Sequence, residues 1–102
     1  MVKSRFVVLS LVGPGRDPSK GVREQPFWDE HAAFIDRLVE EGFILLGGPL
    51  LDQSVQATGA LLIVTAADEA EVKGKLKGDP WFEKGILKLE SISRWEAFID
   101  QW

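Results

Sequence analysis

Three apolar runs in this chain are apolar at odd and even positions alike. In RFVVLSLV (5–12), Phe6, Val8 and Val12 oppose Val7, Leu9 and Leu11, and FILLGG (43–48) and ALLIVTA (60–66) share this two-sided character. Short runs of β-branched and apolar residues read as strands. A strand that is apolar on both sides belongs in a sheet covered on both faces. A fourth run, ILKLESISRW (86–95), alternates instead: Leu87, Leu89, Ser91, Ser93 and Trp95 share one face, and Lys88, Glu90, Ile92 and Arg94 the other.

The segments between these runs carry helical patterns. In PFWDEHAAFIDRLVEEG, residues Phe27, Trp28, Phe34, Ile35, Leu38 and Val39 recur at helical spacing and predict a helix over 27–41. Gly42 is its natural stop. Asp68 is a cap for a second helix reaching about Lys77, with Ala70, Val72 and Leu76 as its apolar positions. GDPWFEKG (78–85) reads as a turn into a short helical piece, with Pro80 at its first position and Asp79 as its cap. GGPL (47–50) reads as a turn closing the second strand, or as a backbone lip with the Gly48 N–H and Pro49 beside a ligand.

The resulting order, βαββαβ, predicts an α+β ferredoxin-like sandwich, with two helices on one face of a four-stranded antiparallel sheet. We expect one domain over residues 1–102, with 13–26 as a long loop and 96–102 as a C-terminal tail. Helices on one face leave the two-sided strands bare on the other, over several hundred Å², more than monomers usually expose. A second copy packed sheet to sheet about a two-fold axis is the simplest cover, so a homodimer with a barrel-like interior is expected.

Composition narrows the chemistry. The net charge of −4 argues against a general grip on nucleic acid. No apolar run is long enough to span a membrane, and FVVLSLV lacks a signal-type cleavage region, so a cytoplasmic location is expected. With no cysteine and one histidine, thiolate chemistry and the common metal-ligand spacings are missing. GPGRDPSKG has neither the P-loop nor the dinucleotide-binding spacing. The expected site therefore uses neither metal nor cofactor.

His31 is the residue of most chemical interest. It falls four residues after Phe27 and three before Phe34, on the apolar stripe, and points at whatever the helix packs on. Either it is a packed histidine satisfied by backbone groups, or it is a general acid/base, since an imidazole takes and returns a proton near neutral pH. The loop 13–26 exceeds the usual connection of about 4–6 residues and reads as a lid. Arg16, Lys20 and Arg23 make it cationic, and Arg23, just before the helix, is the candidate for holding a substrate carboxylate or phenolate. Trp28 and Trp81 are candidate walls for an aromatic ligand.

EHAAFIDRLVEEG on the first helix, then GGPL, GALLIVTA and GDPWFEKGIL, then a closing strand ending in Trp95, occur together over roughly 5–95. In this order they resemble the YCII-related (YciI-like) family of the dimeric α/β-barrel superfamily. The resemblance implies a ferredoxin-like dimer whose cleft holds a histidine–aspartate pair, here His31 and Asp79. It further implies cofactor-free activity, in some members on chlorinated or hydroxylated ring compounds. Many relatives carry a serine after the glycine that opens the third strand. Here that place is Ala60, leaving Thr58 or Ser54 as the substitute hydroxyl.

The expected function is a small enzyme that uses His31 and Asp79 for proton transfer on a cyclic or aromatic oxygenated substrate. The isomerase, lyase and dehydrochlorinase types all fit. A non-catalytic dimeric ligand-binding module and a cofactor-free monooxygenase are the alternatives.

Overall fold

The structure is a computed structural model and describes residues 3–101. Met1, Val2 and Trp102, the last of them ending the expected tail, lie outside the described residues. The elements follow the order β1 (Ser4–Val12), α1 (Trp28–Glu40), β2 (Ile44–Leu51), β3 (Ala57–Ala66), α2 (Glu69–Leu76), α3 (Pro80–Glu83) and β4 (Leu87–Trp95), with a single 3-10 turn over Val22–Glu24 ahead of α1. The four strands form one antiparallel sheet in the order β2-β3-β1-β4. This is the ferredoxin-like α+β arrangement expected from the pattern.

Helix α1 begins without a side-chain cap, at Phe27 in the left-handed region (φ 64°). Asp29 and Glu30 in its first turn suit the positive end of the helix dipole. It ends as the glycine predicts. The Gly42 N–H donates to the Val39 carbonyl and the Phe43 N–H to the Leu38 carbonyl, with Gly42 at φ 82°. This paired closure needs a left-handed residue at the glycine position and brings Leu38 and Phe43 together in the core. Asp68 caps α2 by accepting the Glu71 N–H at 2.8 Å, as its position predicts.

The main core lies between the sheet and the helices. Phe6, Val8 and Val64 from the sheet meet Leu38 of α1 and Val72 and Leu76 of α2. A smaller cluster of Trp81, Ile86 and Leu87, flanked by Trp28 and Phe82, sits at one end. On the other face, Val7, Leu9 and Leu11 stand opposite Ile63, Leu61 and Gly59. Leu11 and Leu46 are exposed there, so the two-sided strands do present an apolar surface away from the helices.

Two expectations from the sequence need correction. GGPL is not a turn: Gly47, Gly48, Pro49 and Leu50 pair with Leu62, Leu61, Ala60 and Gly59 inside β2. β2 is an edge strand, where a proline without an N–H is tolerated because only one side of the strand must bond. The turn falls later, where the Asp52 carboxylate accepts the N–H groups of Ser54 and Gln56. Nor does β4 alternate strictly. Leu89 stands opposite Ser10 and Ser91 opposite Leu9, so Glu90 is an extra residue. A bulge of this kind flips the alternation. It lets both Leu89 and Ile92 pack against the core, where strict alternation would have parted them.

Candidate active site

A cavity of about 410 Å³ opens between α1, β2, the start of β3 and the loop before α1. His31, on α1, lines it with its side chain 13% exposed. Asp79 also lines it but is wholly inaccessible to solvent. Though 48 residues apart in the chain, the two meet: His31 Nδ1 lies 2.9 Å from both carboxylate oxygens of Asp79. A carboxylate only accepts, so Nδ1 carries the hydrogen and Nε2 is left as the basic nitrogen.

Local chain rules place Asp79. It is the cap of α3, accepting the Trp81 N–H at 2.9 Å, with Pro80 at the first helical position. One carboxylate thus closes a helix end and holds an imidazole. Because its charge is buried, those two donors are what make burial tolerable. The His31 ring lies flat against the Trp81 indole, with centroids 3.8 Å apart and an angle of 4° between the planes. Trp81 is itself fixed by its Nε1–H, which donates to the Pro26 carbonyl at 2.8 Å. Trp28 closes the aromatic group, 5.9 Å from the His31 ring and 5.6 Å from that of Trp81.

Of the other residues singled out from the sequence, Trp28, Gly48, Pro49 and Trp81 line the cavity. Arg23 does not. It sits exposed on the 3-10 turn, outside the lining, and the cation lining the cavity is Arg16. Neither proposed substitute hydroxyl reaches the site. Thr58 donates to the Leu50 carbonyl, and Ser54 belongs to the exposed turn after β2. Ser10 does reach it. It lies on β1 directly opposite Ala60 and lines the cavity. The neighbouring strand therefore offers a hydroxyl at the level where relatives are expected to carry theirs.

The loop 13–26 is ordered by a residue the sequence did not mark. Gln25, 4% exposed, accepts the Asp17 N–H at 2.9 Å and donates to the carbonyls of Asp17, Lys20 and Gly21. Asp17 in turn accepts the backbone and side-chain donors of Ser19, whose hydroxyl is the main cause of a carboxyl held below its ordinary value. A glutamine in a Gly/Pro-rich loop carries no signature, because its amide binds whichever backbone groups the fold presents. No group of three or more His, Cys, Asp and Glu side chains stands where it could hold a metal ion among the described residues. None of their helices is long and apolar enough to cross a membrane.

Comparison with known proteins agrees with this fold. Among solved structures, the chain is similar to 5-chloro-2-hydroxyhydroquinone dehydrochlorinase (TftG) from Burkholderia phenoliruptrix AC1100, in complex with 2,5-dihydroxybenzoquinone. The TM-score is 0.63 at 26% sequence identity, over 90% of this chain and 93% of that one. No curated protein matches. The model of the YCII-related domain matches residues 11–96, nearly the whole chain, and the protein belongs to the YCII-related family.

Proposed function

We propose that this protein is a small cofactor-free enzyme in which His31 moves a proton on a hydroxylated ring substrate and Asp79 orients it. The observation that carries this reading is the buried Asp79 carboxylate on His31 Nδ1, in a ring stacked on Trp81 and bordering a cavity. A histidine held this way keeps one tautomer, with Nε2 available as base. The imidazolium it becomes sits against a negative charge in a water-poor site, where that attraction is stronger than in bulk water.

The similar dehydrochlorinase acts on a chlorinated hydroxyhydroquinone, and the same class of reaction suits these residues. Nε2 takes a proton from a ring hydroxyl, and the electron pair becomes a carbonyl. The imidazolium returns the proton to a ring carbon, and departure of the leaving group with a second proton gives a quinone. The net change is loss of HX, so neither an oxidant nor a reductant is required. General acid–base catalysis contributes about 10²–10⁴-fold, which demands a substrate as activated as a polyhydroxylated ring. Ser10 is a polar group at the cavity wall available to such oxygens, and Trp28, Gly48, Pro49 and Trp81 are its ring contacts. The working unit is a cytoplasmic homodimer joined through the uncovered face carrying Leu9, Leu11 and Leu61.

The test is turnover of halogenated hydroxyhydroquinones, followed by halide release, in the natural protein and in His31→Gln. Halide release that falls at least a hundredfold in the variant supports the reading. Ligand binding with no turnover in either protein would assign the cavity to a binding module instead, and equal turnover would remove His31 from the chemistry.

A further inference from the structure

Helix α1 starts on a backbone conformation that a phenylalanine adopts only at a cost. Phe27, its cap residue, sits at φ 64° and ψ 22° in the left-handed region, with no side-chain bond closing the helix end. Glycine or asparagine takes up this conformation more cheaply, because a bulky side chain crowds the backbone there. Burial of the ring does not offset that cost. The residue is 41% exposed, with the Lys84 ammonium over the ring at 5.5 Å from its centre.

What the conformation achieves is geometric. The φ torsion of Phe27 is the rotation between the Pro26 peptide and the helix that begins at Trp28. With φ positive, the Pro26 carbonyl accepts the Trp81 Nε1–H at 2.8 Å while the Phe27 carbonyl accepts the His31 N–H at 2.9 Å. Two consecutive carbonyls thus hold the indole and the helix turn that carries the imidazole, the two rings that lie parallel 3.8 Å apart. A negative φ would swing the first carbonyl off the indole whenever the second stayed in the helix.

This elbow is braced on its other side. Gln25 is extended (ψ 150°), as suits a residue before proline. Its buried amide is tied to the backbone of Asp17, Lys20 and Gly21. The loop carrying those residues is stitched to the chain after α3: the Gly13 N–H donates to the Ile86 carbonyl at 2.9 Å and the Gly15 N–H to the Gly85 carbonyl at 2.8 Å. The approach is so close that a Cβ at Gly13 would fall on the Gly85 carbonyl oxygen and one at Gly15 on that of Lys84. Held from both sides, the left-handed turn has no room to relax. Strain kept in place by its surroundings gathers at working sites.

We infer that Phe27 is a positioning residue, whose left-handed backbone sets the His31 ring against Asp79 and Trp81. Its effect on turnover rests on the function proposed above; its effect on the placement of the ring does not.

Phe27→Asn and Phe27→Ile test this, since both lose the ring beneath Lys84 but only asparagine tolerates the left-handed backbone. The readouts are exchange of the Trp81 indole N–H, the imidazole ¹⁵N shifts of His31, and the split between kcat and KM on a halogenated hydroxyhydroquinone. Phe27→Asn should keep the slow indole exchange and the single imidazole tautomer of the natural protein. Phe27→Ile should speed the exchange about tenfold or more, the scale of the left-handed penalty, and mix the tautomers. It should lower kcat about tenfold with KM nearly unchanged, because the imidazole is misaligned while the cavity wall remains. A Phe27→Ile protein that loses stability yet keeps the natural imidazole signals and indole exchange would overturn the inference, as would equal effects from the two substitutions. If the isoleucine variant does not fold, Phe27→Ala decides by the same spectra: indole exchange faster than in Phe27→Asn supports the inference and equal exchange overturns it. Failure of the proton-transfer reading would appear separately, as halide release indifferent to His31, with the spectra still deciding the elbow.

Discussion

The imidazole of His31 lies parallel to the indole of Trp81 at a centroid distance of 3.8 Å, while Asp79 holds its Nδ1 at 2.9 Å. Two residues of one short segment, Asp79 and Trp81, thus fix both the edge and the face of the same ring. The capping bond from the Trp81 N–H to Asp79 locks their mutual position, so α3, only four residues long, acts as a rigid clamp for α1.

Asp79→Asn should damage orientation more than folding. The amide oxygen still caps α3, but the buried negative charge is gone and the Nδ1–H form loses its advantage. Imidazole ¹⁵N shifts should show Nδ1 protonated in the natural protein and mixed tautomers in the variant. Turnover should fall by about 10²-fold or more. Asp79→Ala should also cost about 1–3 kcal/mol in urea unfolding, because the Trp81 N–H and His31 Nδ1 lose a buried partner.

Trp81→Phe separates stacking from anchoring. The phenyl ring can still lie on His31, but the bond from Nε1 to the Pro26 carbonyl is lost. A loss of about 1 kcal/mol in stability is expected, with turnover reduced less than tenfold. Trp81→Ala removes a nearly buried side chain and should cost about 3–5 kcal/mol. Denaturant titration of both variants beside turnover makes the distinction.

The bare sheet face gives a prediction on assembly. Leu9 and Leu61 face each other across the β1–β3 ladder on the side away from the helices. Leu9→Glu should shift sedimentation from dimer to monomer at micromolar concentration while leaving secondary structure unchanged. Sedimentation of the natural protein as a monomer would remove the homodimer from the proposed function.

The exposed Glu41–Lys75 pair, 2.8 Å apart, ties the end of α1 to α2. The hydrogen bond from Lys75, then its charge, holds the Glu41 carboxyl below its ordinary value of 4.5, and the same contact raises the Lys75 ammonium above 10.5. A carboxyl lowered on folding stabilises the fold above its unfolded value, and that help is lost as pH falls through the folded one. The lysine's share is complete below 10.5 and is lost as pH rises through its folded value. Lys75→Met should therefore lower stability slightly near neutrality, by a difference that shrinks as pH falls below about 4.5, so that the acid limb of the melting curve flattens, and high salt should mimic it.

Local chemistry was enough to specify much of this protein from its sequence. Apolar runs, the glycine after α1, Asp68 and the Asp79–Pro80 pair each act within a few residues, and the elements follow them. The stripe on α1 likewise put His31 on the helix's inner side. What tertiary structure alone decided are the features that depend on a partner far along the chain. GGPL became a strand because β3 supplied its ladder, and Glu90 became a bulge because Leu89 and Ile92 were both drawn to one core. Arg16 rather than Arg23 reached the cavity because Gly13 and Gly15 fit against Gly85 and Lys84, a contact written in the absence of side chains. Ser10 and Gln25 carry no pattern of their own; only the packing around the sheet sets Ser10 at the cavity wall, and only the loop wrapped around Gln25 gives its amide something to meet.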